Sequence, residues 1–188
     1  MITCSCKLVG QTPISFSQGV QSEKKPKESN ADFEKRTWRE KLHVDKDGYC
    51  FIPAMALKIS LAAVAKYLSQ TIPGKGKATY TKHFVGGIAV NSNMALSIKA
   101  KDVSCEEVFV PSDGVRGSGK RVWKSFPTIP TWQTEATIII LDETITDDKL
   151  KEYLIETGKF IGLGRFRPQN NGYYGRFSVE DFKVISTD

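Results

Sequence analysis

The residues best suited to chemistry in this chain lie in one stretch, FIGLGRFRPQNNGYYGRF, residues 160–177. It sets four glycines, three arginines and five aromatics together with no acid. Arginine's planar fork matches phosphate oxygens two at a time and also stacks on flat rings. Tyr173 and Tyr174 offer platforms that tolerate any base, because every base has a face. Gly162 and Gly164, with Gly172 and Gly175 further on, allow close backbone approach or positive φ. Arg165 and Arg167 are two apart on what reads as extended chain, so they are expected to point to one side. Arg176 closes the stretch. Such a set is suited to holding a polyanion that carries flat rings, a single-stranded nucleic acid, rather than to making or breaking bonds. The bland alternative is a glycine-rich hairpin whose arginines are merely solvated.

A second basic-aromatic cluster is FVPSDGVRGSGKRVWKSF, residues 109–126. Here Arg116, Lys120, Arg121 and Lys124 surround Trp123 and Phe126 on glycine-rich chain. The composition suits a finger that closes over a strand, and an ordinary hairpin tip would look similar. PGKGKATYTKH supplies a third cluster, with Lys75, Lys77, Lys82 and His83, but lacks the spacing of a nucleotide-phosphate loop. Three windows, 74–83, 114–134 and 158–179, contain no Asp or Glu and hold 11 of the 27 Lys and Arg residues. The rest of the chain carries 16 basic against 21 acidic residues, net −5, within a whole of +6. Signs segregated in this way fit a polyanion-binding face on an acidic body, against the alternative of three separate solvated loops.

The inventory for catalysis is thin, and no catalytic residue is assigned. His43 and His83 are the chain's two histidines. His83, beside Lys82 and Tyr80, could act as a general base in RNA cleavage, but a contact role suits its basic window better. Cys4, Cys6, Cys50 and Cys105 lack zinc-ligand spacing and read as core filling, so neither metal nor cofactor is expected. With no export signal the thiols are expected to be reduced, in a cytoplasm. No apolar run approaches membrane-spanning length.

The elements that must position these residues follow from periodicity. Residues 2–9 alternate, with Ile2, Cys4, Cys6 and Leu8 on one face, as a half-buried strand does. ADFEKRTWREKL forms a short helix inside a long polar insertion. IPAMALKISLAAVAKYLSQTIPG is a helix with Pro53 in its first turn and one stripe of Leu57, Leu61, Val64, Ala65 and Leu68; Pro73-Gly74 is expected to end it. Short strands fill 85–126. Residues 134–141 read as a strand buried on both faces. A second main helix starts at Thr146 as N-cap, with Ile145 and Leu150 at staple spacing and Gly158 as its stop. A bulged last strand ends the chain. Stripped of insertions at 10–50 and 74–126, the order is β-α-β-β-α-β, an α+β, ferredoxin-like single domain over 1–188 of the kind that RNA-recognition domains share.

On this order two motifs resemble those of the RAMP superfamily of CRISPR effector proteins. FIPAMALKISLAAVAKYL is similar to that family's Ile-Pro-x-x-x-Leu-Lys-x-x-Leu helix start, with Ala54-Met55 where members show Gly and a small polar residue. GLGRFRPQNNGYYGRF resembles its C-terminal glycine-rich loop, in place between second helix and final strand. The compact domain is most similar to the Cas7-type backbone subunits, and a small orphan or phage-borne relative fits the resemblance. It implies binding of single-stranded RNA, copies of the chain lined up along the strand, CRISPR-type effector subunits as partners, and Lys58, Arg165, Arg167 and Arg176 near the nucleic acid. It also implies that the insertion at 74–126 acts as a lid over bases. Other members suggest two alternatives: an RNA endonuclease using His83, His43 or Asp32, and a mimic that caps an effector complex through protein contacts.

Overall fold

The computed structural model describes residues 1–112, 115, 117 and 119–187. Strand β1 (Ile2–Gly10) shows the expected alternation, with Cys4, Cys6 and Leu8 buried. Two-residue β2 (Ile14–Ser15) follows. Helix α1 (Asn30–Thr37) is capped by Ser29, whose hydroxyl accepts from the Asp32 amide, and runs on into a tighter turn at Trp38–Lys41. After β3 (Tyr49–Ile52) comes α2 (Ala54–Leu68), which buries Leu57, Leu61, Val64 and Ala65. Pro53 caps this helix rather than entering its first turn. The helix also stops before Pro73-Gly74. Ser69 takes the left-handed conformation, φ 48°, and its amide bonds to the Ala65 carbonyl, an αL termination that propensity alone does not mark.

Next come α3 (Thr81–Gly86), β4 (Ile88–Val90), β5 (Met94–Lys99), β6 (Ser104–Pro111), β7 (Arg121–Ile129), β8 (Gln133–Ile140), α4 (Asp147–Glu156) and β9 (Phe177–Thr187). Four strands form an antiparallel sheet in the order β4-β8-β1-β9. With α2 and α4 the chain order of this unit is β1-α2-β4-β8-α4-β9, the α+β order read from the sequence. Strand β4 lies within 74–126, so that stretch contains a strand of the main sheet as well as inserted chain. Smaller sheets, β2-β7-β6 and β3-β5, lie beside the main one.

Strand β8 corrects one expectation. Thr134, Ala136, Ile138 and Ile140 are buried, but Glu135 is exposed and Ile139 half-buried. Helices α2 and α4 touch each other and the sheet's edge strands, and the buried strand face joins their apolar stripes in one core. A sheet covered on one face alternates, even where β-branched residues fill both. Strand β9 is bulged as expected: its register against β1 shifts twice, and Asp181 has φ 51° at one of the shifts.

Helix α4 begins as expected, with the Thr146 hydroxyl accepting from the Lys149 amide and Ile145 and Leu150 buried. It does not stop at Gly158. The helix widens into a π turn, Thr157–Ile161, and ends at Gly162, φ 73°. Gly158 serves close packing instead: a Cβ there would lie 2.0 Å from the Phe177 carbonyl oxygen of β9.

Candidate nucleic-acid interface

The glycine-rich stretch is a folded-back loop, not an extended arm. Leu163 N–H donates to Gly175 O, Gly175 N–H to Pro13 O, and Arg165 N–H to Ser15 O, at 3.0, 2.8 and 2.7 Å. Ser60 on α2 donates its hydroxyl to Gly162 O at 3.0 Å. At Gly164, φ 78°, a Cβ would meet Ser15 O at 2.5 Å; at Gly175, φ 75°, it would meet Leu163 O at 1.8 Å. The glycines therefore let the loop pack on itself and on residues 13–15. Phe166 turns the chain with φ 47°, which removes the extended geometry expected to align Arg165 with Arg167.

The two arginines consequently differ. The Arg165 Cζ sits 3.6 Å from the Phe126 ring centre and 5.5 Å from that of Tyr174. Burial lowers its pKa, and its Nη1 is buried with no acceptor among the described residues. Phe126 is held in turn by Lys41, whose Nζ lies 4.4 Å from its ring centre, 2.6 Å from Glu34 and 2.8 Å from Ser125 O. Tyr174 is buried and donates to Glu106 at 2.5 Å; burial first, then that bond, pushes its phenol up to about 12. Arg167 is half-buried and donates to Gln169 at 2.9 and 3.2 Å.

Between this loop and the β6–β7 hairpin lies an open cleft of about 730 Å³, lined mainly by apolar surface. Arg121, Lys124 and Phe126 face it from the hairpin, and Arg165, Phe166 and Tyr173 from the loop. Tyr173 and Phe166 remain exposed. Two of the three acid-free windows thus meet at one aromatic cleft. Lys124 also donates to Ser112 O at 3.3 Å. Trp123 is exposed outside the cleft lining and packs on Phe109, ring centres 5.3 Å apart. Lys120 is exposed near the tip, and Arg116 lies outside the described residues. Arg176 is exposed and donates to Lys159 O.

The 74–83 window attaches elsewhere. Lys75 reaches Thr144 at 3.4 Å and His83 Nδ1 lies 2.6 Å from Asp142, both just before α4, whereas the glycine-rich loop follows that helix. Lys77 and Lys82 are exposed, and Lys58 donates to Val85 O at the end of α3. The His83 contact, aided by the Thr144 amide, holds Asp142 down at about 2. That carboxylate fixes the turn into α4, so the pair ties α3 to the helix start. His43 packs against Phe16 and Phe51, and burial lowers its pKa. Asp32 accepts from the Ser29 hydroxyl at 2.6 Å within the α1 cap. Cys4, Cys6 and Cys50 are buried, with thiols pushed up to about 11, 12 and 11; Cys105 is exposed. Lys41, Glu34 and Glu106, which support the cleft, carry no spacing signal in the sequence, because they reach it from distant segments.

Compared as a sequence, the chain matches no family profile and no curated relative. Its fold does match solved structures. One is the type III-B Cmr-beta complex bound to cognate target RNA, with TM-score 0.61 at 13% identity over 98% of this chain. The chain spans only 60% of the matched one. Another is Cmr6 from Pyrococcus furiosus, with TM-score 0.50 at 12% identity, covering 94% of this chain and 97% of that one. No helix among the described residues is long and apolar enough to cross a membrane. The fold is similar to that of a chain of the Cmr-beta complex and to that of Cmr6, in agreement with the α+β order read from the sequence.

Proposed function

We propose that this chain binds single-stranded nucleic acid, RNA in preference to DNA, along the cleft between the β6–β7 hairpin and the glycine-rich loop, without cleaving it. Arg121 and Lys124 take backbone phosphates, and exposed Tyr173 and Phe166 take base faces. The observation that carries this is the meeting of two acid-free windows at one mostly apolar, aromatic-walled cleft. Such a site suits a ligand that alternates phosphate with flat ring. The likeness to a Cmr-beta chain solved with target RNA supports RNA as the ligand. Copies set side by side along the strand, and contact with effector subunits, belong to the same proposal; negative-stain images with and without a long strand test the first.

The direct test is fluorescence anisotropy with labelled single strands across a salt series. Each phosphate neutralised on a single strand adds about −0.7 to the slope of log affinity against log salt, so about three to six phosphates give roughly −2 to −4. A flat response, or equal affinity for duplex, overturns the proposal. The same labelled RNA should remain full-length after prolonged incubation; shortening would show an enzyme.

A further inference from the structure

The cleft holds one group that phosphate binding does not explain. Arg165 is stacked 3.6 Å from the Phe126 ring centre, and Lys41 supports that ring in turn. Its charge is half-buried, yet among the described residues it has no ion pair; Nη1 is itself buried without an acceptor, so Nε and Nη2 are the pair of donors that a ligand in the cleft can reach. The other arginines of the stretch are engaged, Arg167 with Gln169 and Arg176 with Lys159 O. The nearby carboxylate of Glu106 is taken up by Tyr174. The cleft beside Arg165 is walled mainly by aromatic and aliphatic side chains, with Arg121 and Lys124 on its hairpin side. A planar fork is costly to leave unpaired in a mostly apolar cleft, and in the reading above the phosphates already go to Arg121 and Lys124.

We propose that Arg165 reads one base of the bound strand, and that this base is guanine. The inference rests on the nucleic-acid reading above. Guanine presents N7 and O6 as adjacent acceptors on one edge, the pair that an arginine fork meets bidentately. Adenine sets an amino donor where guanine has O6, so an arginine N–H meets another N–H. Cytosine also carries two neighbouring acceptors, but its single ring covers less of Tyr173 and Phe166. The remaining contacts track the backbone without regard to sequence, so the preference falls at one position of the strand.

Titration of the full chain with 5′-nucleoside monophosphates, read by intrinsic fluorescence, tests this without altering the protein. GMP and inosine 5′-monophosphate, which share N7 and O6, should bind about tenfold tighter than AMP, CMP, UMP or 7-deaza-GMP, the worth of one matched bidentate pair. Arg165→Lys, which keeps the charge but loses the fork, should abolish the preference for GMP, and the unaltered chain should bind a labelled uridine oligomer as well. Equal affinities for all nucleotides, or 7-deaza-GMP binding as well as GMP, overturn the inference. If the oligomer binds and the nucleotides do not differ, only the guanine assignment falls. If neither binds, the nucleic-acid reading falls with it.

Discussion

Arg165 and Arg167 show how much two like residues can diverge in one loop. Their types and spacing were legible, and composition alone marked the stretch as suited to a polyanion. What the spacing did not carry was the left-handed turn at Phe166, or the partner Phe126, which arrives from another strand. The two arginines therefore read alike in the sequence, and the structure separates them. Arg165→Glu would set a carboxylate against the Phe126 ring and near Glu106, with no donor supplied. That should lower stability by roughly 1–3 kcal/mol, the range for a polar group left without a partner, since the site is only half-buried. Arg167→Glu removes only the two bonds to Gln169 and should change stability by less than about 0.5 kcal/mol. Thermal melts of the two variants check this. Equal melting temperatures would show that the Phe126 stack is not structural.

At the scale of elements, the order of the main elements along the chain and both main helices could be read from periodicity, whereas two helix ends could not. Pro73-Gly74 and Gly158 looked like stops because both residue types break helices. The actual ends are set by an αL cap at Ser69 and by the turn at Gly162, whose carbonyl takes the Ser60 hydroxyl from α2. The Ser69 cap is local backbone geometry in a residue type that does not announce it, whereas at Gly162 a tertiary contact sets the end. The same logic governs the glycine-rich loop. Gly164→Ala forces a Cβ into positive φ and against the Ser15 carbonyl, and should cost about 2 kcal/mol or more while loosening the neighbouring Arg165 amide. Gly119→Ala, in the other basic loop, meets nothing within 4 Å and should shift stability by less than about 0.5 kcal/mol. Urea denaturation of both variants decides the matter. A neutral Gly164→Ala would mean the loop is not held as described.

Across the whole molecule, segregation of charge was legible in the sequence, but convergence was not, since it depends on which segments the sheets bring together. The structure joins the windows around 121–126 and 160–176 at the cleft and leaves 74–83 at the opposite end of α4. Net charge and local charge can therefore be told apart by matched reversals. Arg121→Glu with Lys124→Glu and Lys75→Glu with Lys77→Glu change the formal charge equally, and all four side chains are at least partly exposed. If the cleft carries the strand, the first pair loses two phosphate contacts, reducing the salt slope in magnitude by about 1.4 and the affinity by at least about tenfold. The second pair acts only through the long-range field, which is screened beyond about 10 Å at 0.1 M salt, and should leave the slope nearly unchanged. Equal losses from both pairs would mean that the strand runs past the start of α4 as well, or that the overall positive charge rather than the cleft supplies the affinity. Footprinting of the bound strand on each variant separates those two outcomes, because only a second contact track lengthens the protected segment.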